Sequence, residues 1–118
     1  MFGIKSANGY VEITAGIKIK TLIYGENTLM SEFLLEKGVL LPEHAHPHEQ
    51  TGYLVSGKLQ LTIGDSSRIL AAGDSWNVPS GAKHKADVLE DVVAIEVFTP
   101  CRQEYLQFVN HQDIVKSP

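Results

Sequence analysis

The stretch that sets the fold reads Gly38-Val-Leu-Leu-Pro-Glu-His44-Ala-His46-Pro-His-Glu-Gln50-Thr-Gly-Tyr-Leu-Val-Ser-Gly57. His44 and His46 are two residues apart, so on a β-strand both imidazoles project from the same face. The proline that follows removes a backbone donor and bends the chain, which lets the Gln50 amide return to the same point after a three-residue spacer. The stretch therefore predicts neighbouring donors of the kind that bind a transition metal.

A second glycine-and-proline frame lies downstream and ends in another histidine. It reads Gly73-Asp-Ser-Trp-Asn-Val-Pro79-Ser-Gly81-Ala-Lys-His84. A lone buried histidine more often makes ordinary hydrogen bonds than binds a metal. Two histidines at i and i+2, with a third in such a frame, favour a shared site instead. We predict that His84 enters this site from another strand.

Other side chains near these motifs leave alternatives open. Glu49 could replace Gln50 as the oxygen ligand, although the three-residue spacer favours position 50. Strand parity would point His48 inward, but the bend at Pro47 is expected to leave it at the rim, and His111 lies in the tail outside both stretches. Three imidazoles and one oxygen, without a thiolate, suit Zn²⁺, Ni²⁺, Mn²⁺, Fe²⁺ or Cu²⁺. A divalent metal cofactor is predicted, with no choice among these ions.

The composition limits the classes of partner and the cellular locations that we expect for this protein. Ten Lys and Arg against fourteen Asp and Glu give a formal net charge of −4, which does not suit nucleic acid as the main partner. No long apolar segment opens the chain, and no later stretch approaches the roughly 18 apolar residues of a membrane helix. We therefore expect a soluble cytoplasmic protein. The single cysteine, Cys101, cannot form an internal disulfide and is expected to pack or lie at the surface.

The hydrophobic pattern predicts a β-rich domain. Apolar residues alternate with polar ones in runs such as 58–63 and 91–98, and turn residues interrupt the runs about every 8 to 12 residues, as in antiparallel sandwiches and barrels. At 118 residues and 43% hydrophobic content, we expect residues 1–118 to form a single domain with its motif core at about 30–100. A short helix is predicted only in the tail, residues 102–110, where Tyr105, Leu106 and Val109 have helical spacing.

The two quoted stretches resemble the first and second motifs of the cupin superfamily. The resemblance implies an all-β jelly-roll barrel whose metal ligands point into its mouth. Where the usual first motif has a glutamate, this chain has Gln50, a neutral ligand that leaves the full double positive charge on the metal and makes it a stronger Lewis acid. Val88 stands where the second motif often ends in asparagine, but that position is not a ligand.

Within the cupins, the chain resembles the small single-domain proteins of pectin and alginate catabolism that open the ring of 4,5-unsaturated monouronates. In that family three histidines and one glutamine hold the metal, and an acidic residue, a phenylalanine and an arginine complete the site. The resemblance places these at Glu96, Phe98 and Arg102, with Glu96 where the family typically has aspartate. It implies a carboxylated sugar as substrate, with Glu96 shuttling the proton, Phe98 packing on the sugar ring and Arg102 binding the carboxylate.

The orientation of the strand that carries Glu96 is open in the sequence. Glu96 and Phe98 share one face of a strand. The hydrophobic pattern alone favours the opposite face as the interior, with Val93, Ile95 and Val97 pointing inward and Glu96 in solvent. The family resemblance favours Glu96 inside.

Other functions are compatible with the same residues. Three-histidine cupin sites also hold Fe²⁺ in dioxygenases, which consume oxygen, whereas uronate ring opening does not. A non-catalytic cupin that binds a small molecule is a third alternative, and it would show saturable binding without product. Exposed β edges need cover, so a homodimer is expected.

Overall fold

The structure is a computed structural model that describes residues 1–116. Most of these residues lie in β-strands. Two short 3₁₀ helices, Gln103–Phe108 and His111–Asp113, lie near the end of the chain. In the part of the chain that is described, no helix is long and apolar enough to cross a membrane. The strands are β1 (Phe2–Gly3), β2 (Val11–Thr14), β3 (Ile17–Tyr24), β4 (Leu29–Leu35), β5 (Leu40–His44), β6 (Glu49–Ile63), β7 (Ser66–Ala71), β8 (Ser75–Val78), β9 (His84–Thr99) and β10 (Ile114–Val115).

Two long strands organise the main sheet. Its order is β2-β3-β4-β9-β6-β7, β5 also pairs with β9, and β8 also pairs with β6. All of these strand pairs are antiparallel, and the register between β6 and β9 shifts between Leu54 and Leu59. Such irregularities bend and twist a strand, so that one strand can pair with different neighbours along its length. The result is the curled antiparallel barrel that the period-two pattern predicts.

The apolar core fills the inside of this barrel. This core has two clusters. The smaller one contains Leu29, Phe98 and Cys101 and lies where the chain leaves β9, and partly buried Tyr105 and Leu106 pack against it. Cys101 is therefore a packing residue. The larger cluster consists of Ile17, Leu35, Leu54, Leu59, Leu70, Val88, Val92 and Ala94.

The tail packs on the barrel as a 3₁₀ helix, a tighter form of the short helix predicted there. The hydroxyl of Thr21 donates to the carbonyl oxygen of Tyr105 at 2.6 Å, and the rings of Tyr105 and Phe98 meet edge to face at 5.3 Å. Val109 lies past the end of the helix in extended backbone and forms a bridge with Thr21. These contacts bring the Arg102 region beside the barrel mouth.

Gly57 occupies a position in β6 that admits no side chain. Its φ is +93°, in the left-handed region, and a Cβ there would lie 2.0 Å from the carbonyl oxygen of Asp91. Both the backbone conformation and the close approach of β9 therefore require glycine. This glycine lies within the irregular part of the β6–β9 pairing.

We expect Gly57→Ala to lower the free energy of unfolding by about 2–3 kcal/mol, because the backbone must leave its conformation or β9 must move. Urea denaturation measures the change. Gly25→Ala is the matched control, since a Cβ at Gly25 would meet no atom within 4 Å. Equal stability of the two variants would contradict the requirement for glycine at position 57.

A buried lysine joins the two ends of the chain to the barrel. The Lys20 ammonium donates to the carbonyl oxygens of Ser6 and Asn8 at 3.0 and 2.9 Å, and lies 3.2 Å from Asp113 Oδ2. The Ser6 hydroxyl donates to the same carboxylate oxygen at 2.9 Å. The hydrogen bond from Ser6, together with Lys20, holds the pKa of Asp113 below its ordinary value of 3.8.

Asp113→Asn is expected to lower stability at neutral pH, and its difference from the wild type should shrink in acid. Because the pKa is lower in the folded state, the carboxylate contributes fully above the unfolded pKa, and the contribution is lost as the pH falls through the folded value. Urea midpoints measured between neutral pH and about pH 2.5 follow this loss. Asp65→Asn, in the exposed β6–β7 turn, controls for one surface charge. A difference that does not change with pH would disprove the linkage.

Candidate metal centre

Strand pairing brings the predicted ligands to one end of the barrel. His44 ends β5 and lies opposite His84, the first residue of β9. The prediction that one strand carries both His44 and His46 is wrong, because β5 ends at His44 and His46 lies in the irregular segment before the bend at Pro47. The two rings converge all the same, with centroids 5.8 Å apart, and Gln50 follows in β6.

The three imidazoles are close enough to share one ion. The ring centroids of His44 and His84 are 4.0 Å apart, and those of His46 and His84 are 4.9 Å apart. One ring nitrogen from each histidine lies within 4.8 Å of the other two. A metal bound to imidazole sits about 2.0–2.1 Å from each nitrogen, which this spacing permits.

Backbone contacts orient all three rings in the same way. In His44, His46 and His84, Nδ1 lies 2.9–3.0 Å from a backbone carbonyl oxygen two residues away. A carbonyl oxygen only accepts, so Nδ1 carries the hydrogen and the lone pair resides on Nε2. Metal-binding histidines are commonly fixed in this manner.

Burial favours the neutral form of two of these rings. It is the main cause that lowers the pKa of both His46 and His84, and for His84 the neighbouring histidines lower it further. His84 Nε2 is buried and finds no hydrogen-bond partner among residues 1–116. A neutral imidazole with a buried, unused lone pair is suited to a metal ion.

Gln50 adds an oxygen donor to the cluster. The side chain is buried, and its Oε1 lies 2.9 Å from His46 Nε2. With the hydrogen on Nδ1 of His46, two lone pairs face each other, an arrangement that a cation between them relieves. The amide nitrogen of Gln50 donates to Glu96 Oε1, which keeps the amide oxygen directed at the histidine. Three imidazole nitrogens and this oxygen fit a divalent cation.

The remaining candidate ligands lie elsewhere. Glu49 is exposed, and its carboxylate accepts a hydrogen bond from Asn77 at 2.9 Å. His48 lies beside the cluster, 5.9 Å from His46 between centroids, but does not belong to it. His111 is exposed in the second 3₁₀ helix. The geometry therefore supports Gln50 over Glu49 as the oxygen donor.

A cavity of about 250 Å³ opens beside the histidines. Ala94, Glu96 and Phe98 of β9 line it, so the face that carries Glu96 is the inner one, and the alternative with Val93, Ile95 and Val97 inside is not observed. Its other lining side chains are mostly apolar. They are Ile13, Ile17, Phe33, Leu35, Leu41, His44, Gln50, Leu59, Leu61, Trp76, His84, Lys85, Ala86, Arg102 and Tyr105.

Glu96 is held by two donors in this cavity. The Gln50 amide and the indole N–H of Trp76 both donate to Oε1, the latter at 3.1 Å. Burial raises the pKa of Glu96, while these hydrogen bonds and the charge of Arg102 oppose the shift. The motifs did not point to Trp76. The signal that could have found it is Gly52, a glycine inside a strand, which often marks a close approach.

Arg102 makes cation–π contacts with two aromatic rings at the cavity wall. Its guanidinium lies 5.0 Å from the ring centroid of Phe98 and 4.1 Å from that of Tyr105. Its Nε donates to Glu104 at 2.6 Å, an ion pair in which the Glu104 side chain is about half exposed. These contacts restrict the guanidinium, whose planar set of N–H donors suits an anion such as a carboxylate.

Comparison with known proteins identifies the family. The family described as Cupin domain matches residues 31–98, more than half of the chain, so the chain belongs to the cupins. Its structure is similar to that of KdgF from Halomonas sp., with a TM-score of 0.84 and 26% identity over 88% of this chain and 98% of that one. An RmlC-like cupin from Shewanella frigidimarina matches at a TM-score of 0.84, with 27% identity over 88% and 94%. The prediction of an all-β cupin jelly roll is confirmed, and the chain is a small cupin resembling KdgF.

A curated relative matches over part of its length. The H2HPP isomerase of Bacillus subtilis is 29% identical over 92 residues, which are 74% of this chain, but the chain spans only 38% of that protein. A match over 38% of the relative does not show that this chain has the relative's activity.

Proposed function

We propose that this cupin is a metal-dependent enzyme that opens the ring of a 4,5-unsaturated monouronate. The observation that carries the proposal is one cavity in which a cation for a carboxylate, Arg102, and a partly buried acid, Glu96, lie beside a three-histidine cluster. The similarity to KdgF and the motif resemblance to the uronate-opening cupins support the same reaction.

Substrate binding would begin at Arg102. Its planar guanidinium suits the uronate carboxylate, and cation–π contacts with Phe98 and Tyr105 hold it in place. Phe98 would pack against the apolar face of the sugar ring. A monouronate is small enough for a cavity of about 250 Å³.

The reaction is an isomerisation that needs one group to move a proton. Glu96 would take the proton of the hemiacetal hydroxyl as the carbonyl forms at C1 and the bond from C1 to the ring oxygen breaks. The ring oxygen leaves as an enolate, and return of a proton to C4 gives the linear keto acid. His44, His46, Gln50 and His84 would hold the divalent cation, which supplies Lewis-acid stabilisation of negative charge on oxygen.

The decay of the ultraviolet absorbance of a 4,5-unsaturated galacturonate tests this function. We expect faster decay with metal-loaded protein than with chelator-treated protein, and recovery when metal is returned. The matched rate without protein corrects for spontaneous opening. No acceleration with any of Zn²⁺, Ni²⁺, Mn²⁺, Fe²⁺ or Cu²⁺ would contradict the proposal. Oxygen uptake by the Fe²⁺-loaded protein would instead favour a dioxygenase.

The apolar lining of the cavity favours a second candidate, an isomerase for an acid with few hydroxyl groups. Most side chains that line the cavity are apolar, and hydroxyl groups placed against them would lack partners. The relative from Bacillus subtilis is named as an H2HPP isomerase. Conversion of H2HPP by the metal-loaded protein, without effect on the unsaturated uronate, would select this candidate.

A further inference from the structure

Trp76 is the single tryptophan of the chain and the one large polar-tipped side chain of β8. Its ring packs against the larger core cluster, and its indole N–H reaches Glu96 Oε1 at 3.1 Å. A partly buried tryptophan generally finds a partner for its N–H, and here that partner is the carboxylate in the cavity.

Three residues that lie side by side on β8, β6 and β9 explain this contact. Trp76 lies opposite Gly52 in the pairing of β8 with β6, and Gly52 lies opposite Glu96 in the pairing of β6 with β9. Directly opposite residues project from the same face of a sheet. Two strand spacings, about 9–10 Å, separate the outer two backbones, so the outer side chains meet only across the middle position.

The indole can cross the middle position only if the residue there has no side chain. A Cβ on Gly52 would lie 2.1, 2.2 and 2.3 Å from the indole atoms Cε2, Nε1 and Cζ2. These distances are far below van der Waals contact, so even alanine would push the ring away. Gly52 therefore provides the space through which Trp76 reaches Glu96.

Both donors bind the same carboxylate oxygen. Gln50 and Trp76 donate to Oε1 of Glu96, and no hydrogen bond to Oε2 is found in residues 1–116. Two N–H groups on Oε1 fix the rotation of the carboxylate and leave Oε2 as the oxygen that can exchange a proton. Because Gln50 also belongs to the metal cluster, the carboxylate is tied to the histidines on one side and to β8 on the other.

We propose that Trp76 is a positioning residue that orients Glu96 through its indole N–H, and that Gly52 is required as glycine to admit it. The catalytic consequence rests on the proposed function, whereas the contact itself does not. The role deepens the site by assigning proton transfer to Oε2 of Glu96.

Nuclear magnetic resonance tests the contact without any substrate. The zinc-loaded protein has a single indole N–H signal in its ¹H–¹⁵N spectrum, because it has one tryptophan. A charged acceptor makes a stronger hydrogen bond than a neutral one, so Glu96→Gln should move this proton upfield. Glu96→Asp, which withdraws the carboxylate by one methylene, should move it in the same direction. An unmoved signal in both folded variants would overturn the proposal.

Kinetics test the positioning role. Trp76→Phe should lower kcat about tenfold, the effect of losing one hydrogen bond to a charged group, with KM and metal content unchanged. Gly52→Ala should give a similar loss although the indole remains, and the double variant should be no worse than either single one. Val92→Ala, buried in the core and outside the cavity lining, is the control that lowers the melting temperature and leaves kcat unchanged.

The possible results separate the two proposals. An unchanged kcat in Trp76→Phe, or a kcat loss that follows metal loss, would overturn the positioning role. If the wild type does not turn over the uronate, the proposed function is wrong. The indole signal in Glu96→Gln then still decides whether Trp76 holds the carboxylate.

Discussion

His84→Ala is expected to weaken binding of a divalent metal by more than about 100-fold. Loss of a group that only supports a ligand typically costs 10- to 100-fold, and His84 is proposed as a ligand itself. Its ring is the nearest neighbour of both other rings in the cluster, at 4.0 and 4.9 Å between centroids, and its buried Nε2 has no hydrogen-bond partner among residues 1–116. Alanine would leave two imidazoles and one amide oxygen, with an apolar gap in place of the third nitrogen.

Isothermal titration with Zn²⁺ and metal analysis after dialysis measure this loss. Metal at about 100 times its dissociation constant should stabilise the wild type by about 2.7 kcal/mol, and this increment should disappear in His84→Ala. His48→Ala is the matched control, because His48 lies in the same region but outside the cluster. Wild-type affinity in His84→Ala would refute the assignment of His84, and loss of metal in His48→Ala would mean that the cluster is incomplete.

Glu96→Gln should lower kcat for uronate ring opening by about 10²–10⁴-fold, the usual contribution of a positioned acid or base. The amide keeps the size of the side chain and an oxygen that can accept from Trp76 and Gln50, so the cavity should stay intact. It cannot carry the proton. Metal content and the melting temperature should therefore remain close to those of the wild type.

Decay of the unsaturated uronate absorbance, with metal content determined on the same samples, separates chemistry from binding. Glu49→Gln serves as the control, since that carboxylate is exposed and outside the cavity. Unchanged turnover in Glu96→Gln would remove Glu96 from the mechanism. Loss of metal together with activity would instead make it a support for Gln50.

Several features followed from local sequence. The spacing from His44 to Gln50 and the frame before His84 predicted four residues whose side chains lie together in the structure, because the donor types and their short separations are encoded locally. The bend at Pro47 was also expected, yet its effect on His46 was not, since parity arguments hold only while the chain remains a strand. His46 reaches the cluster from the irregular segment between β5 and β6 instead.

Which face of β9 points to the interior could be decided only from the tertiary structure. A period of two shows that Glu96 and Phe98 share a face, but both faces of β9 carry apolar residues, so the pattern alone favoured the wrong one. Pairing with β4 on one side and β6 on the other sets which face closes around the cavity. The contact between Trp76 and Glu96 has the same origin, since it depends on two registers and an empty position at Gly52.

The sequence by itself determined that the chain is an all-β cupin with three histidines and a glutamine at motif spacing, because periodicity, turns and donor types are local properties. The tertiary structure alone decided that Glu96 faces inward and that the indole N–H of Trp76 donates to its carboxylate. These depend on strand register and burial, which arise when segments distant in the chain pair and exclude water.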